Sequence, residues 1–309
     1  MSAGDDVDPL RQALSLAREH PDELLAVVGP TASGKTALAV ELAERLGGEV
    51  VSADSVQIYR GFDVGAGKPS AEELRRAPHH LVSVLDPMDH VDAASWAERA
   101  SGAIRDVRAR GRVPIVCGGT FLWVKALLFG LAEAPSANAE VRGRHRALAE
   151  AEGRPAVHDR LRAVDPESAA RLHPNDLVRV SRALEVFELT GRPLAAWQRE
   201  HAFARVRHPA KLVAVRCEGE VLTERMRTRV RAWLAEGWVD EVERLLAAGY
   251  GQARGMGSVG YAQIRAMLAG ALALGDLEAA IVRATRLFAR RQRTWLNHAD
   301  VVWLGEPRP

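Results

Sequence analysis

Apolar residues in this chain fall into short continuous runs separated by longer stretches in which they recur every three or four positions. The run LLAVV at 24–28 suits a strand buried on both faces. Eight loop-like residues follow, and then Leu38, Leu42 and Leu46 recur every four positions, which predicts a helix from about Lys35. The same reading predicts strands at 49–52, 81–85, 112–117, 211–216 and 301–304. It predicts helices over 93–110, from near 220, over about 238–248 and over 276–296. Alternating strands and helices imply an α/β fold with a parallel sheet covered on both faces. Between 138 and 200 there is no strand pattern, only helical periodicity broken near Gly153, Pro166, Pro174, Gly191 and Pro193. The expected organisation is a polar lead-in at 1–22 with a short helix, and a core whose first part is 23–135. An all-helical insertion at 136–204 and the second part of the core at 205–309 complete it.

The loop after the first strand reads GPTASGKT (29–36), a complete G-x-x-x-x-G-K-T phosphate-binding loop. A strand ending in this loop and opening a helix aims successive backbone N–H groups into one concavity, with the positive end of the helix dipole behind them. Gly34 permits close approach, Lys35 supplies a point charge, and the Thr36 hydroxyl is placed to ligate Mg²⁺. The fold implied is therefore P-loop NTPase-like.

Ligands in such sheets bind at the carboxyl ends of the strands. Asp54 follows the second strand, where it could bind Mg²⁺ through water, bond a nucleoside, act as a general base or simply close a turn. The fourth strand ends in Gly118-Gly119-Thr120, which offers close backbone approach and a neutral donor, although Thr120 also suits a helix N-cap. Asp86 ends the apolar run 81–85 as a magnesium-type aspartate, with Pro87 making a plain turn equally consistent.

The arginines say more in groups. Arg283, Arg286, Arg290 and Arg293 form one helical stripe with almost no interleaved acid, which suits a polyanion, while Ile281, Ala284, Leu287, Phe288 and Trp295 are expected to pack elsewhere. Arg225 and Arg229 lie one turn apart, as do Arg179 and Arg182, and Arg142, Arg144 and Arg146 open another helix. Trp233, Trp238, Trp295 and Trp303 read as core. His79, His80 and His173 lack metal-ligand spacing.

Composition narrows the class without deciding it. The chain has 309 residues, 47% hydrophobic and 27% charged, and a formal net charge of +2, which neither demands nor excludes nucleic acid. Asp5, Asp6 and Asp8 interrupt the start where a signal peptide would be apolar, and no run of about 18 apolar residues is present to span a membrane. Cys117 and Cys217 read as reduced, buried thiols of a cytoplasmic protein rather than a disulfide or zinc pair.

Seven stretches resemble the bacterial tRNA dimethylallyltransferases, the IPP transferase family. They are GPTASGKT (29–36), SADSVQIYRGFDVG (52–65), GGTFLWVKALLFGL (118–131), PSANAEVR (135–142), HPNDLVRVSRALEVFELTGRPL (173–194), SVGYAQ (258–263) and RRQRTW (290–295). They follow family order over nearly the whole chain, and the HPND stretch is far more specific than the phosphate loop. The resemblance implies transfer of a five-carbon group from dimethylallyl diphosphate to the exocyclic amine of the adenosine 3′ to the anticodon, releasing diphosphate. Gly29, Pro30, Thr31, Ala32, Ser33, Gly34, Lys35 and Thr36 would hold the donor's diphosphate with Mg²⁺ at Thr36, and Arg229, with Arg225 beside it, would clamp it. Thr120 would contact the reacting end of the donor, and Asp54 would orient the amine and take its proton.

Contacts to the tRNA anticodon stem-loop carry over to Asp54, Ser55, Val56, Gln57, Thr120 and Arg142, and to Val178, Arg179, Val180, Ser181 and Arg182. They also carry over to Arg290, Arg291, Gln292, Arg293, Thr294, Trp295 and Asn297. The insertion would grip the stem-loop, and a monomer is the expected form. GAGKP (65–69) departs from the family's GTAKP, Asn297 stands for a frequent arginine, and Arg293 for a frequent apolar residue. The chain ends at Pro309 with no zinc-finger extension, as in the bacterial form. The competing readings are a prenyl transfer to free AMP or ADP, a P-loop kinase of a small acceptor, and a non-enzymatic RNA-binding protein.

Overall fold

The computed structural model describes residues 8–217, 219–297 and 299–305, which fall into two compact units. The first unit comprises Met1–Leu128 with Arg207–Pro309, and the second is Phe129–Val206.

The first unit is built on a six-stranded sheet in the order β3-β2-β4-β1-β5-β6, with all pairings parallel. Its strands are β1 (Leu24–Val28), β2 (Gly48–Ser52), β3 (His79–His80), β4 (Val113–Gly118), β5 (Ala210–Val215) and β6 (Val301–Leu304). In β1 every residue is buried, as its unbroken apolar run requires. Helix α1 (Pro9–Glu19) is capped by Asp8, and α2 (Lys35–Leu46) packs Leu38, Ala39, Leu42 and Ala43 against Leu25, Val27, Val50 and Ile115. Helix α4 (Ala93–Ala109) begins in a reciprocal cap between Asp92 and Ser95.

One expected strand is absent. At 81–85 Leu81 and Ser83 take left-handed backbone angles (φ 61° and 55°), which ends the extended run after β3. The N–H groups of Ser83, Val84 and Leu85 donate instead to Gln57 and Ile58, so this segment covers the loop after β2. Helix α3 (Ala71–Arg76) precedes β3, and α5 (Phe121–Phe129) follows β4. Helices α11 (Gly219–Ala235), α12 (Trp238–Ala247), α13 (Tyr261–Leu268) and α14 (Leu277–Leu296) complete this unit, and α13 had no counterpart in the sequence reading.

Two packing expectations need correction. Of the four tryptophans read as core, Trp238 is buried, while Trp233, Trp295 and Trp303 are half-buried. On α14 Leu287 is exposed and Phe288 is only partly covered, and the buried side includes Leu277, Ile281, Thr285, Ala289, Gln292 and Leu296. Its two polar members sit inside because both find partners, Thr285 at the Ile281 carbonyl and Gln292 at Gly119 and Thr31.

The second unit is helical among its described residues, with α6 (Ala139–Glu152), α7 (Arg154–Val164), α8 (Pro166–Arg171), α9 (Leu177–Thr190) and α10 (Leu194–His201). Val157, Leu161, Ala169, Val180, Ala183 and Leu184 form its core. Buried Asp165 accepts from the N–H groups of Ser168 and Ala195, and Asp176 of the HPND stretch caps α9.

Candidate active site

A cavity of about 350 Å³ opens at the carboxyl ends of β1, β2 and β4. Thr31, Lys35 and Thr36 from the phosphate loop line it, together with Asp54, Ser55, Val56 and Gln57, Gly118, Gly119 and Thr120, and Arg229 of α11. Val230, Trp233, Trp238, Val259 and Phe288 add an apolar wall. The cavity thus has a cationic, amide-rich end and a greasy one.

The loop is held in its turn from within and without. Ala32 and Gly34 both take positive φ (67° and 89°), and Gly29 and Pro30 are buried. The Thr31 N–H donates to Oε1 of Gln292 at 2.9 Å, and Nε2 of Gln292 donates to the Gly119 carbonyl at 2.9 Å. Gln292, carried over as an RNA contact, is therefore buried and ties the phosphate loop to the end of β4. Gly118, which ends β4, and Gly119 both line the cavity, and packing on their other side also leaves no room for a side chain. A Cβ on Gly118 would stand 2.2 Å from the Ala53 carbonyl oxygen, and one on Gly119 would stand 2.4 Å from Gln292.

The cations at this end lack counterions of full strength. Among the described residues Lys35 Nζ reaches only the Pro30 carbonyl, at 3.4 Å. Burial pushes its ammonium below the ordinary lysine range, against the pull of Cys117 and Asp54. Arg229 bonds the Thr31 hydroxyl and stacks on Trp233, 4.6 Å from the ring centroid. Burial lowers it to about 10, with Asp54 opposing, and its Nε is buried with no partner among the described residues. The Ser33 hydroxyl in the loop is orphaned in the same way. Buried donors left unpaired are costly unless a ligand meets them. Cys117, buried behind the loop, is pushed up to about 11, first by burial, so it stays a thiol. Cys217, expected to be buried, is half-exposed.

Asp54 serves a turn and faces the cavity at once. Its Oδ1 accepts from the N–H groups of Val56 (2.8 Å) and Gln57 (3.2 Å), whereas no described residue bonds Oδ2. Thr120 is not a side-chain N-cap: its Oγ1 accepts from the Ser55 N–H at 3.2 Å, binding the end of β4 to the Asp54 turn. Asp86 takes the turn reading, accepting from the Met88 N–H, and it does not line the cavity. Arg225 is also absent from the cavity walls; it is exposed, with a bond to the Cys217 sulfur.

The RRQRTW stretch is divided by helical geometry. Arg291 and Gln292 line the cavity, Arg290 and Arg293 line a separate groove with Arg283, Arg286 and the start of α11, and Trp295 stacks on Phe121 at 4.3 Å. Thr294 is exposed, with its hydroxyl on the Arg290 carbonyl, and Asn297 follows the helix end, exposed. Helix α9 divides the same way in the second unit. Val178 (79% exposed) and Arg179 face outward, while Val180 and Ser181 are buried and cannot meet RNA as α9 stands. Arg142 and Arg182 both bond the fully buried Glu185.

Two features of the site escaped the sequence. Trp233 and Phe288 belong to the cavity wall, and buried Glu241 holds the loop beside it. Nothing in local periodicity separates a wall tryptophan from a core one.

The fold and cavity define a P-loop-type α/β protein whose cavity, at the end of a parallel sheet, is lined by the phosphate-loop residues Thr31, Lys35 and Thr36, by Arg229 and by apolar side chains. Comparison with known proteins narrows that class. A family model described as IPP transferase matches residues 57–299, and one described as isopentenyl transferase matches 22–82. The chain is 61% identical to a tRNA dimethylallyltransferase of Sorangium cellulosum (strain So ce56), covering 95% of this chain and 93% of that one. Among solved structures, the full-length tRNA isopentenylpyrophosphate transferase of Bacillus halodurans is 36% identical, with a TM-score of 0.66, over 92% of this chain and 89% of that one. A eukaryotic dimethylallyltransferase captured acting on tRNA aligns with a TM-score of 0.76 at 25% identity, over 91% of this chain and 73% of that one. The chain belongs to the IPP transferase family.

Proposed function

We propose that this protein transfers the dimethylallyl group of dimethylallyl diphosphate to the exocyclic amine of the adenosine 3′ to the anticodon of tRNA, releasing diphosphate. The observation that carries the reading is a single cavity lined by Lys35, by Arg229 with its unpartnered Nε, by Asp54 with a free carboxylate oxygen among the described residues, and by the apolar Val230, Trp233 and Phe288. Lys35, Arg229 and the loop amides receive the diphosphate and stabilise its growing charge as the carbon–oxygen bond breaks. Trp233, Val230 and Phe288 accept the five-carbon chain. The adenine amine is a poor nucleophile because its lone pair is delocalised into the ring. Asp54 Oδ2 takes its proton as the new carbon–nitrogen bond forms.

Among the described residues no cluster of three acids, histidines or cysteines could hold a metal alone. The Thr36 hydroxyl in the cavity fits a Mg²⁺ that arrives with the donor and is held largely by its phosphate oxygens. Such an ion would add positive charge to the leaving group. The Arg283 to Arg293 stripe and the exposed Arg179 supply phosphate contacts to the tRNA, and a base splayed out of its loop is enclosed in the cavity. No described helix is long and apolar enough to cross a membrane, and acting on tRNA supports a cytoplasmic enzyme that works as a monomer.

Mass spectrometry of unmodified tRNA after incubation with the donor tests the reading. One added five-carbon unit on one adenosine is expected, and Asp54→Asn should cut the rate by about 10²-fold or more. Transfer to free AMP but not to tRNA, or phosphorylation of a small acceptor from ATP, would replace it.

A further inference from the structure

Glu241 lies on α12, is 2% exposed, and has no lysine or arginine within ion-pair distance among the described residues. Its carboxylate is met instead by backbone. Oε2 accepts from the N–H groups of Asp63 (2.9 Å) and Val64 (2.7 Å), and Oε1 from that of Gly65 (3.3 Å). The Tyr261 hydroxyl completes the set with a 2.6 Å bond to Oε1. Burial and the adjacent carboxylate hold the Tyr261 phenol well above its ordinary range, so it remains a donor. Three consecutive amides on one carboxylate form an anion nest turned inward, satisfied by the protein's own side chain.

The segment so gripped forms part of the cavity. Gly65, Ala66, Gly67 and Pro69 all line it. Trp238, one turn before Glu241 on α12, presses so closely that a Cβ on Gly65 would stand 1.8 Å from its Nε1. On the other side, Gln57 Nε2 donates to the carbonyls of Gly67 (2.8 Å) and Ala66 (3.3 Å), and Gln57 Oε1 accepts from Ser52 at 3.0 Å. The backbone N–H of the same Gln57 donates to Asp54 Oδ1. A chain of hydrogen bonds thus runs from Glu241 through residues 63–67 and Gln57 to the turn that presents Asp54 Oδ2.

We propose that Glu241 is a positioning residue for the transfer reaction, fixing segment 63–67 and, through Gln57, the aim of Asp54 into the cavity. The inference rests on the prenyl-transfer reading above. The Glu241→Gln side chain keeps the shape but turns an amide –NH₂ toward backbone N–H groups, so the nest loses acceptors on one side. Segment 63–67 shifts, and Gln57 and the Asp54 turn shift with it. Misplacement of this size costs about 10- to 100-fold in a positioned reaction. Lys35, Thr36 and Arg229 lie on other segments, so the diphosphate end is left intact.

The test compares wild type, Glu241→Gln and Tyr261→Phe in single-turnover transfer at saturating tRNA and donor, well below each variant's melting temperature. Inorganic diphosphate binding is measured on the same proteins by calorimetry. The expected result is a transfer rate at least tenfold slower in Glu241→Gln and a few-fold slower in Tyr261→Phe, with diphosphate affinity within about twofold of wild type. A folded Glu241→Gln protein that transfers at the wild-type rate overturns the proposal. So does a loss of rate matched by an equal loss of diphosphate affinity, which marks general loosening. If Glu241→Gln does not fold, Tyr261→Phe decides by the same criterion. A wild-type chain that transfers nothing overturns both this inference and the reading on which it rests.

Discussion

Arg229 in the cavity and Arg182 in the helical unit are both half-buried guanidinium groups on helices, yet they are compensated in opposite ways. Arg182 and Arg142 share Glu185, which is fully buried and also accepts from the Asn138 N–H at 2.6 Å. Burial alone would raise the Glu185 carboxyl, but the hydrogen bonds from Arg142 and Arg182 outweigh it and hold it below the ordinary range. Arg229 has a hydroxyl, an aromatic face and an unpaired Nε. A cation whose anion comes from the protein is architecture; a cation desolvated without one is waiting for a ligand. Sequence spacing had put all three arginines in the same class.

The largest effect that would sharpen this contrast lies in the helical unit. Glu185→Gln strips two arginines of their buried partner and should destabilise the second unit by about 3 kcal/mol, read by denaturant unfolding. The sign with pH follows from the lowered carboxyl. Its stabilisation is present above the unfolded-state pKa and fades as pH falls through the lower folded value, and the variant should lose that acid sensitivity. A variant as stable as wild type would break the distinction.

In the cavity the effect falls on binding. Lys35→Met should weaken diphosphate affinity about tenfold, the scale of one charge-assisted hydrogen bond. Lys35 is lowered in the folded chain, so it sheds its proton at a lower pH than the free side chain would, while the Arg229 guanidinium stays charged. Diphosphate affinity measured by calorimetry should therefore fall as pH rises toward 10, and Lys35→Met should flatten that fall. Affinity constant over this range would mean that Lys35 does not meet the anion.

The smallest effect tests a third use of arginine, the exposed stripe on α14. Changing Arg283 and Arg286 together to Gln should reduce the slope of log tRNA affinity against log salt by about 0.9 per lost phosphate contact. Diphosphate binding should not change. An unaltered slope would return the stripe to a solvated helix face.

The elements that were legible share one property, a pattern complete within a few residues. The run 24–28, the loop 29–36, the three leucines spaced four residues apart in α2 and the breaks at Gly153, Pro166 and Gly191 each state their structure locally. The strand expected at 81–85 failed because its apolar residues cover the loop after β2 instead of extending the sheet, and an apolar run is the same in either case. Segments carried over whole as contacts, 178–182 and 290–295, were split because a helix turns each residue about 100° from the last.

By itself the sequence determined the sheet's principal strands, the phosphate loop and the helical insertion, since these depend on short-range periodicity and on motifs contiguous in the chain, and it singled out Asp54, Thr120 and Arg229, which line one cavity. Only the tertiary structure decided which cations keep an unpaired donor, that Gln292 joins two loops from 173 and 261 residues away in the chain, and that Glu241 holds residues 63–65 from α12. Those assignments depend on desolvation and on partners distant in sequence, and neither quantity exists until the chain has folded.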